Sequence, residues 1–393
     1  MSFTLQGCNK AIFYSVSIIS FSIICILNVN LAQFPATTRE LPTSYHHDHP
    51  IVLTWTSFFG SDLAKLLEKK SDSCFYKCDY TSDKRLLNES SLIVFHSRDF
   101  TDFPQTRPDQ LKVLYNLESP ANSWPSLFRN VPQNYFNLTA TYRTDSDVYV
   151  PYGIFEKRSV KDDIREKVNN IVANKTKLVL QLVSNCETQS KREMVTEALE
   201  KLINITSYGG CFGVDCGEQC EEEAIKSHYF YLAFENSVCQ DYVTEKFFRL
   251  GSGIVPVVLS REVIKNVAPP ESFIAVDDFY SLKKLAEYLT YVASKRFTSR
   301  KTNLLNRKRS IFRYFDWMST YEIKHFDFAV CDLCQAAHKK PNSKYDNAVE
   351  WWLNGTCLNR HTSDEVELSW ISNYGLIVLL LIVFVAISGQ DAH

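Results

Sequence analysis

The sequence lacks an excess of charge of either sign. Its 393 residues include 43 lysines and arginines against 45 aspartates and glutamates, a formal net charge of −2. Proteins that bind nucleic acid need a basic face, so this balance argues against a nucleic-acid partner. Charged residues make up only 22% of the chain and hydrophobic residues 45%, which excludes global disorder and allows packed cores. The length fits two domains of common size.

Two apolar segments near the chain ends bear on the compartment. Residues 11–31 follow Lys10 and approach the roughly 20 residues that span a bilayer. We expect an uncleaved signal anchor there, with residues 1–10 as a cytosolic tail; a signal peptide cleaved near Ala32 is the alternative. Residues 373–389 could form a second membrane segment, although their apolar run is short for a span; a tail anchor, a lipid-anchor signal and a buried helix are the open alternatives.

The region between the apolar segments has the features of a lumenal protein. All twelve cysteines except Cys8 and Cys25 lie there, and an oxidising lumen would convert them to disulfides. A four-cysteine zinc site is the alternative for two closely spaced cysteine pairs, but we expect no metal. The region also contains five sequons, which are candidate N-glycosylation sites, at Asn88, Asn137, Asn174, Asn204 and Asn354.

The pattern of apolar runs predicts an α/β protein with parallel sheets. Buried strands are expected over 51–55, 92–95, 111–115, 178–183, 229–234, 254–259 and 273–276. Helical spacing is found near 63–67 and over 191–203, 242–250 and 282–291. A ligand cleft is expected at the carboxyl ends of the strands. The predicted parts are a stem (32–50), two α/β domains (51–160 and 161–335) and a C-terminal extension (336–372).

The segment from Tyr229 to Lys246 is the most informative for chemistry. A buried strand ends in a polar cluster at residues 234–237, and that cluster leads into a predicted helix. Helix N-termini bind anions through free N–H groups and the helix dipole. Lys246 adds a full positive charge in the first turn, so a diphosphate is a candidate ligand. The alternative is a capped helix with a solvated lysine.

The same segment resembles the signature of the α1,3-fucosyltransferase family, glycosyltransferase family 10. The family pattern FENS followed by DYxTEK is found at 234–237 and 241–246, and the chain is similar to invertebrate members. Other family blocks occur in the family's order: NLESP at 116–120, FNLT at 136–139, DSD at 145–147, PYG at 151–153, SNC at 184–186 and VPVVL at 255–259. The resemblance covers residues 51–335.

This resemblance implies a GT-B glycosyltransferase fold of two Rossmann-like domains behind an N-terminal transmembrane helix. It implies an inverting transfer of fucose from GDP-fucose to O3 of a GlcNAc, in N-glycan or N-acetyllactosamine acceptors on glycoproteins or glycolipids. Glu118 matches the family's general base. No cofactor would be required, and a divalent cation would be at most stimulatory. The residues that match the donor-binding positions are Arg192, Asn236, Tyr242, Glu245 and Lys246.

Less specific matches concern the acceptor and the disulfides. His96 and Arg98 occupy the stretch that helps to set the acceptor in vertebrate members, with only partial agreement. Related animal enzymes pair two N-terminal-domain cysteines with a C-terminal CxxC, which implies bridges among Cys74, Cys78, Cys331 and Cys334.

Several alternatives remain open at the level of sequence. Asp145 and Asp147 form an Asp-x-Asp pair that would bind a metal in A-type glycosyltransferases, but in this family they look structural. The resemblance also implies a single-pass type II Golgi membrane protein with a lumenal catalytic domain. The competing functions are a catalytically inactive glycan-binding membrane protein and a transferase with another sugar-nucleotide donor.

Overall fold

Two parallel β-sheets form the frame of the protein. The structure, a computed structural model, describes residues 48–123, 125–249, 251, 253–294, 311–325, 328–355 and 357–358. The described residues from 49 onward belong to one unit, which contains both sheets. The α/β class and the parallel sheets predicted from the sequence are confirmed. The predicted domain boundaries stay a prediction.

The first sheet has six strands, in the order β2-β1-β3-β4-β5-β6, and all its recorded pairings are parallel. Its strands are β1 (Ile51–Thr54), β2 (Asp79–Thr81), β3 (Leu92–His96), β4 (Leu111–Asn116), β5 (Leu138–Thr141) and β6 (Val148–Tyr149). The three predicted strands of this region are therefore β1, β3 and β4, each within a residue or so of its expected bounds.

The second sheet has five parallel strands, in the order β12-β11-β10-β8-β9. Its strands are β8 (Lys177–Leu182), β9 (Ile205–Tyr208), β10 (His228–Leu232), β11 (Val255–Val258) and β12 (Ile274–Ala275). An antiparallel ribbon of β7 (Gly153–Lys157) and β13 (Tyr321–His325) completes the described strands.

The described α-helices are mostly short. They are α1 (Leu63–Glu68), α2 (Arg165–Ala173), α3 (Arg192–Glu200), α4 (Glu218–Ser227), α5 (Glu245–Phe248), α6 (Arg261–Ile264), α7 (Leu282–Ser294), α8 (Val330–Lys339) and α9 (Ala348–Leu353). Among the described residues, no helix is long and apolar enough to cross a membrane. The predicted signal anchor and the second apolar segment lie outside the described residues.

Central strands of the first sheet bury side chains on both faces, which is why they read as continuous apolar runs. On β1, for example, Val52 and Leu53 are both fully buried, yet they belong to two different hydrophobic clusters. Successive side chains of a strand point to opposite faces, so each cluster covers one face. The second sheet is covered on both faces in the same way.

The helix expected over 242–250 is much shorter than predicted. Asp241 adopts a left-handed conformation with φ of 58°, and helix α5 begins only at Glu245. Tyr242 and Val243 are buried instead in two different clusters, and Thr244 caps the helix through its side chain. Tertiary burial thus overrides the helical pattern, and a four-residue helix has little dipole with which to hold an anion.

Candidate active site

Glu118 lies at the carboxyl edge of the first sheet, two residues after β4. Asn116, the last residue of β4, accepts a hydrogen bond from the Glu118 backbone N–H through its side chain, at 3.0 Å. Ser119 then caps a short 3₁₀ turn that begins with Pro120, because its Oγ accepts from Asn122 N. The sequence Asn-Leu-Glu-Ser-Pro therefore ends the strand and fixes the backbone that carries the carboxylate.

The Glu118 carboxylate is half-buried and accepts hydrogen bonds both from its own turn after β4 and from the segment that follows β10. Its Oε1 accepts hydrogen bonds from Tyr242 Oη at 2.7 Å, Ser119 N at 3.1 Å and Asn122 Nδ2 at 3.3 Å. A second link lies beside it, where Ser237 Oγ donates to Ser119 Oγ at 2.6 Å. The turn after β4 thus meets the segment that follows β10 of the second sheet.

Tyr242 is buried, with 3% of its surface exposed, and packs against the Tyr142 ring at a centroid distance of 4.9 Å. Burial, the neighbouring Tyr152 and the Glu118 carboxylate hold the pKa of Tyr242 well above its ordinary value. Its hydroxyl therefore stays protonated near neutral pH and donates to Glu118. This link was not predicted, because a sequence gives no sign of which carboxylate a remote tyrosine will meet.

The segment after β10 is held through its backbone carbonyls. Phe234 O accepts from Arg192 Nη1 at 2.7 Å, and Glu235 O accepts from Ser190 Oγ at 2.7 Å. The carbonyl of Asn236 accepts from Ser190 N at 2.9 Å. Three successive carbonyls are thus tied to the residues that precede and open helix α3. The Asn236 side chain accepts from Ser237 Oγ and stays half-buried.

Arg192 is only 3% exposed, and burial lowers the pKa of its guanidinium. Besides Phe234 O, it reaches Asn185 O through Nη2 at 2.9 Å, whereas its buried Nε has no hydrogen-bond partner in the described part of the chain. The guanidinium is therefore incompletely satisfied and lies beside the segment that carries Glu235 and Asn236.

Lys246 lies in a cluster of charges around the same segment. Its Nζ is 3.1 Å from a Glu235 carboxylate oxygen, 3.1 Å from Glu245 Oε1 and 2.9 Å from Thr244 Oγ1. Glu235 also accepts from Thr244 N and Oγ1, so it orients both the cap and the lysine. The structure thus brings together Glu235, Glu245 and Lys246, and places Arg192 on the adjacent carbonyl.

Burial and charge oppose each other in this cluster. Burial favours neutral Lys246, but the two carboxylates outweigh it and raise the lysine pKa above its ordinary value. Burial raises the pKa of Glu235, and Lys246 only partly offsets it. For Glu245 burial is outweighed by Lys246, so the pKa falls. A single cation flanked by two carboxylates leaves one of them without a full counter-charge, and Glu245 is the more accessible of the two, with 53% of its side chain exposed.

Comparison with protein families covers most of the chain. Residues 47–153 match the model of the fucosyltransferase N-terminal domain, and residues 172–352 match that of the C-terminal part of glycosyltransferase family 10 (fucosyltransferase). The chain belongs to glycosyltransferase family 10. Both the candidate base and the candidate donor residues of this family 10 member lie inside the matched ranges.

Curated relatives agree with the family. The chain is 32% identical to alpha-(1,3)-fucosyltransferase fut-1 of Caenorhabditis elegans over 286 residues, which are 68% of this chain and 62% of that protein. It is 31% identical to alpha-(1,3)-fucosyltransferase C of Drosophila melanogaster over 77% of each chain. It is 36% identical to 4-galactosyl-N-acetylglucosaminide 3-alpha-L-fucosyltransferase 9 of Mus musculus, over 79% of this chain and 84% of the mouse protein.

The two candidate acceptor residues of the family 10 chain lie beside the base but differ in access. His96 is fully buried, with Nδ1 against the Asp99 carboxylate and its ring against Phe58 and Phe59. Burial lowers the His96 pKa, and Asp99 opposes that shift. A direct contact between His96 and a sugar would need this packing to open. Arg98 is half-buried and donates through Nη1 to the carbonyl of Asn122, the residue that also contacts Glu118.

The Asp-x-Asp pair has structural partners in this family 10 chain. Asp145 forms two hydrogen bonds with the Arg143 guanidinium, at 2.9 and 2.6 Å. One carboxylate oxygen of Asp147 accepts from Thr139 N and Oγ1, and the other accepts from Lys344 N at 2.8 Å. With both carboxylates engaged in this way, the structure favours the structural interpretation of the pair over a metal site.

The implied disulfides are confirmed as Cys74–Cys331 and Cys78–Cys334. These four sulfurs are therefore not free thiolates for the alternative zinc site. The remaining bridges, which the sequence left undecided, are Cys186–Cys211, Cys216–Cys220 and Cys239–Cys357. Four of the candidate glycosylation residues are exposed, namely Asn88, Asn174, Asn204 and Asn354, whereas Asn137 is half-buried and accepts from Lys112 N.

One solved structure, the crystal structure of an alpha1,3-fucosyltransferase with GDP-fucose, covers 81% of this chain and 95% of its own at 13% identity and a TM-score of 0.46. That likeness is too low for the two sites to be compared residue by residue.

Proposed function

We propose that this protein is an inverting α1,3-fucosyltransferase, which moves fucose from GDP-fucose to O3 of a GlcNAc in N-glycan or N-acetyllactosamine acceptors. The observation that carries the proposal is the hydrogen bond between Glu118 and Tyr242. It brings a carboxylate from the first sheet against the segment that carries Lys246 and that Arg192 contacts through Phe234 O. The names of the curated relatives, which are α1,3-fucosyltransferases, support fucose as the transferred sugar and the same linkage.

Inversion requires one in-line displacement. The acceptor O3 attacks the anomeric carbon of fucose, its proton passes to the Glu118 carboxylate, and the bond to GDP breaks on the opposite side. The leaving diphosphate gains negative charge, which nearby cations stabilise. Lys246 supplies such a charge, and the exposed Glu245 can leave it for a ribose hydroxyl when the donor binds. Arg192 supplies the second charge beside Asn236. No step of this scheme needs a metal, and a divalent cation would at most stimulate.

The wider setting follows from the same family. We infer a GT-B arrangement, in which the first sheet belongs to an acceptor-binding domain and the second to a GDP-fucose-binding domain. We further infer a Golgi membrane protein whose catalytic part lies in the lumen. Five disulfides among the described residues support an oxidising compartment.

Replacing the base tests the proposed chemistry. Glu118→Gln keeps the shape and the hydrogen-bond acceptor but removes the negative charge that takes the proton. We expect turnover to fall by about 10²- to 10⁴-fold, the usual contribution of a general base, while GDP binding stays near normal. Glu89→Gln, at an exposed glutamate of the same region, is the matched control. Unchanged turnover in Glu118→Gln would refute the assignment of the base.

A further inference from the structure

The described residues beyond helix α8 have no part in the chemistry described so far, yet they pass beside both Glu118 and Tyr242. We name its described portion from Lys344 to Leu358, without residue 356, the C-terminal strap. Its last five described residues, 353–355 and 357–358, lie beyond the stretch that matches the family model, which ends at residue 352. The strap includes helix α9.

The strap begins on the first sheet, at the Asp-x-Asp block. Lys344 N donates to Asp147 Oδ1 at 2.8 Å, and Tyr345 Oη donates to the carbonyl of Asp145 at 2.8 Å. These contacts attach the start of the strap to the residues that connect β5 and β6. They also account for one of the two carboxylates that a metal site would have needed.

The strap then packs against the turn that carries the candidate base. A Cβ atom added at Gly355 would lie 2.9 Å from Pro120 Cγ and 3.0 Å from Arg143 Nη1. The strap backbone therefore lies directly on Pro120, two residues after Glu118. A movement of the strap at this point would press on the turn that fixes the carboxylate.

The strap also supports the tyrosine that donates to the base. Trp352 is fully buried, and its ring lies 5.7 Å from that of Tyr142. The Tyr142 ring in turn lies 4.9 Å from the Tyr242 ring, and all three side chains share one hydrophobic cluster. Removal of the tryptophan would open space behind the aromatic pair that sets the position of the Tyr242 hydroxyl.

A disulfide attaches the end of the strap to the second-sheet side of the site. Cys357 forms a disulfide with Cys239, three residues before Tyr242, and Leu358 N donates to the carbonyl of Val238 at 2.7 Å. The end of the strap is therefore fixed to the segment of the second sheet that leads into Tyr242. One strap thus holds the Glu118 turn on one side and the Tyr242 segment on the other.

We propose that the C-terminal strap positions the Glu118–Tyr242 pair for catalysis, with Gly355 and Cys357 as positioning residues. The inference rests on the proposed function. The two members of the pair come from different sheets, so their hydrogen bond depends on how those parts are held together. Misplacement of a catalytic group by about 1 Å can cost about 10²-fold in rate, so the C-terminal strap can affect the rate without contacting the substrate.

Two kinds of variant test the strap in the full chain. Cys357→Ser releases its end, and the double variant Cys239→Ser/Cys357→Ser does so without leaving a thiol. Gly355→Ala keeps the disulfide but pushes against Pro120 and against the carbonyl of Trp352 in the strap itself. We expect kcat for fucosyl transfer to fall about tenfold or more in each, within the ~10²-fold range for misplaced groups. GDP affinity should change less than about twofold, because these variants keep Arg192 and Lys246, the cations proposed to bind it.

The matched control is Cys216→Ser/Cys220→Ser, which removes a disulfide of only four residues' separation from the second-sheet side. It should leave kcat unchanged after correction for the folded fraction, measured by near-UV circular dichroism. Unchanged kcat in Cys357→Ser and Gly355→Ala would overturn the proposal. So would a loss of kcat that merely follows the folded fraction, or an equal loss in the control.

A double-mutant cycle separates positioning from general stability. If the strap acts through Tyr242, then Cys357→Ser should cost much less in a Tyr242→Phe background, where the hydrogen bond is already absent. Full additivity of the two effects would contradict the proposal. A wild-type protein that transfers no fucose would refute the proposed function itself, whereas active wild type with unaffected strap variants would refute this inference alone.

Discussion

Replacement of Tyr242 by phenylalanine separates two roles for this residue. The sequence places it among the donor-binding positions, whereas the structure directs its hydroxyl to Glu118 Oε1 at 2.7 Å. Tyr242→Phe removes that hydroxyl and keeps the ring, which packs against Tyr142. A hydrogen bond to a charged group contributes about 1.5–3 kcal/mol. If all of this energy serves to position the carboxylate for the transition state, then at 1.36 kcal/mol per factor of ten its loss predicts a fall in kcat of about 10- to 150-fold.

The assay compares turnover with donor binding. We expect kcat to fall by this factor while the Kd of GDP, measured by calorimetry, stays within about twofold. Glu118 keeps its bonds from Ser119 N and Asn122 Nδ2, so activity should persist above that of Glu118→Gln. Tyr142→Phe is the control, since that buried hydroxyl has no partner in the described part of the chain. A weakened GDP affinity with kcat preserved would refute the reasoning and restore the donor role.

Two further predictions concern charged side chains. Lys246→Ala should weaken GDP binding about tenfold or more, because a charge-assisted contact to the diphosphate is lost; normal affinity by calorimetry would contradict the diphosphate role. Lys175 is 1% exposed, and burial lowers its pKa from 10.5 to about 7. Between pH 7 and pH 10.5 the unfolded chain therefore binds more protons than the folded chain, so the folded chain becomes more stable as pH rises. In denaturant titrations from pH 8 to 10, the free energy of unfolding of wild type relative to Lys175→Met should rise by up to about 1.4 kcal/mol per pH unit; a difference independent of pH would contradict this.

Sequence patterns predicted seven of the eleven parallel strands, because most buried strands read as unbroken apolar runs. The interior strand Leu138–Thr141 was missed because threonines alternate with its apolar residues, and three edge strands were missed as well. Asp79–Thr81 has only half-buried side chains, and Val148–Tyr149 is too short to give a pattern. The antiparallel ribbon joins Gly153–Lys157 to Tyr321–His325. The spacing of apolar residues along the sequence does not show which strands pair when they lie so far apart in the chain. The shortened helix at Glu245 shows the opposite error, where a helical pattern gave way to burial of Tyr242.

For the candidate site too, the sequence predicted some features and missed others. Family motifs named Glu118, Arg192 and Lys246, because each falls within a short stretch of recognisable sequence. Motifs did not reveal that Tyr242 meets Glu118, or that Arg192 is tied to backbone carbonyls. They also gave no indication of the C-terminal strap. The Glu118–Tyr242 bond and the strap contacts join residues more than a hundred positions apart in the sequence. The Arg192 contact depends on where one guanidinium nitrogen lies in the folded chain. Sequence motifs carry neither kind of information.

Fucosyl transfer itself is the most direct measurement. The purified 393-residue chain would be incubated with GDP-fucose, EDTA and a panel of N-glycan and N-acetyllactosamine acceptors, and the products analysed by mass spectrometry. We predict the gain of one deoxyhexose on at least one GlcNAc-containing acceptor, with linkage at O3 and no gain in Glu118→Gln. No gain on any acceptor, with GDP still bound, would contradict the proposed activity and favour a catalytically inactive glycan-binding protein.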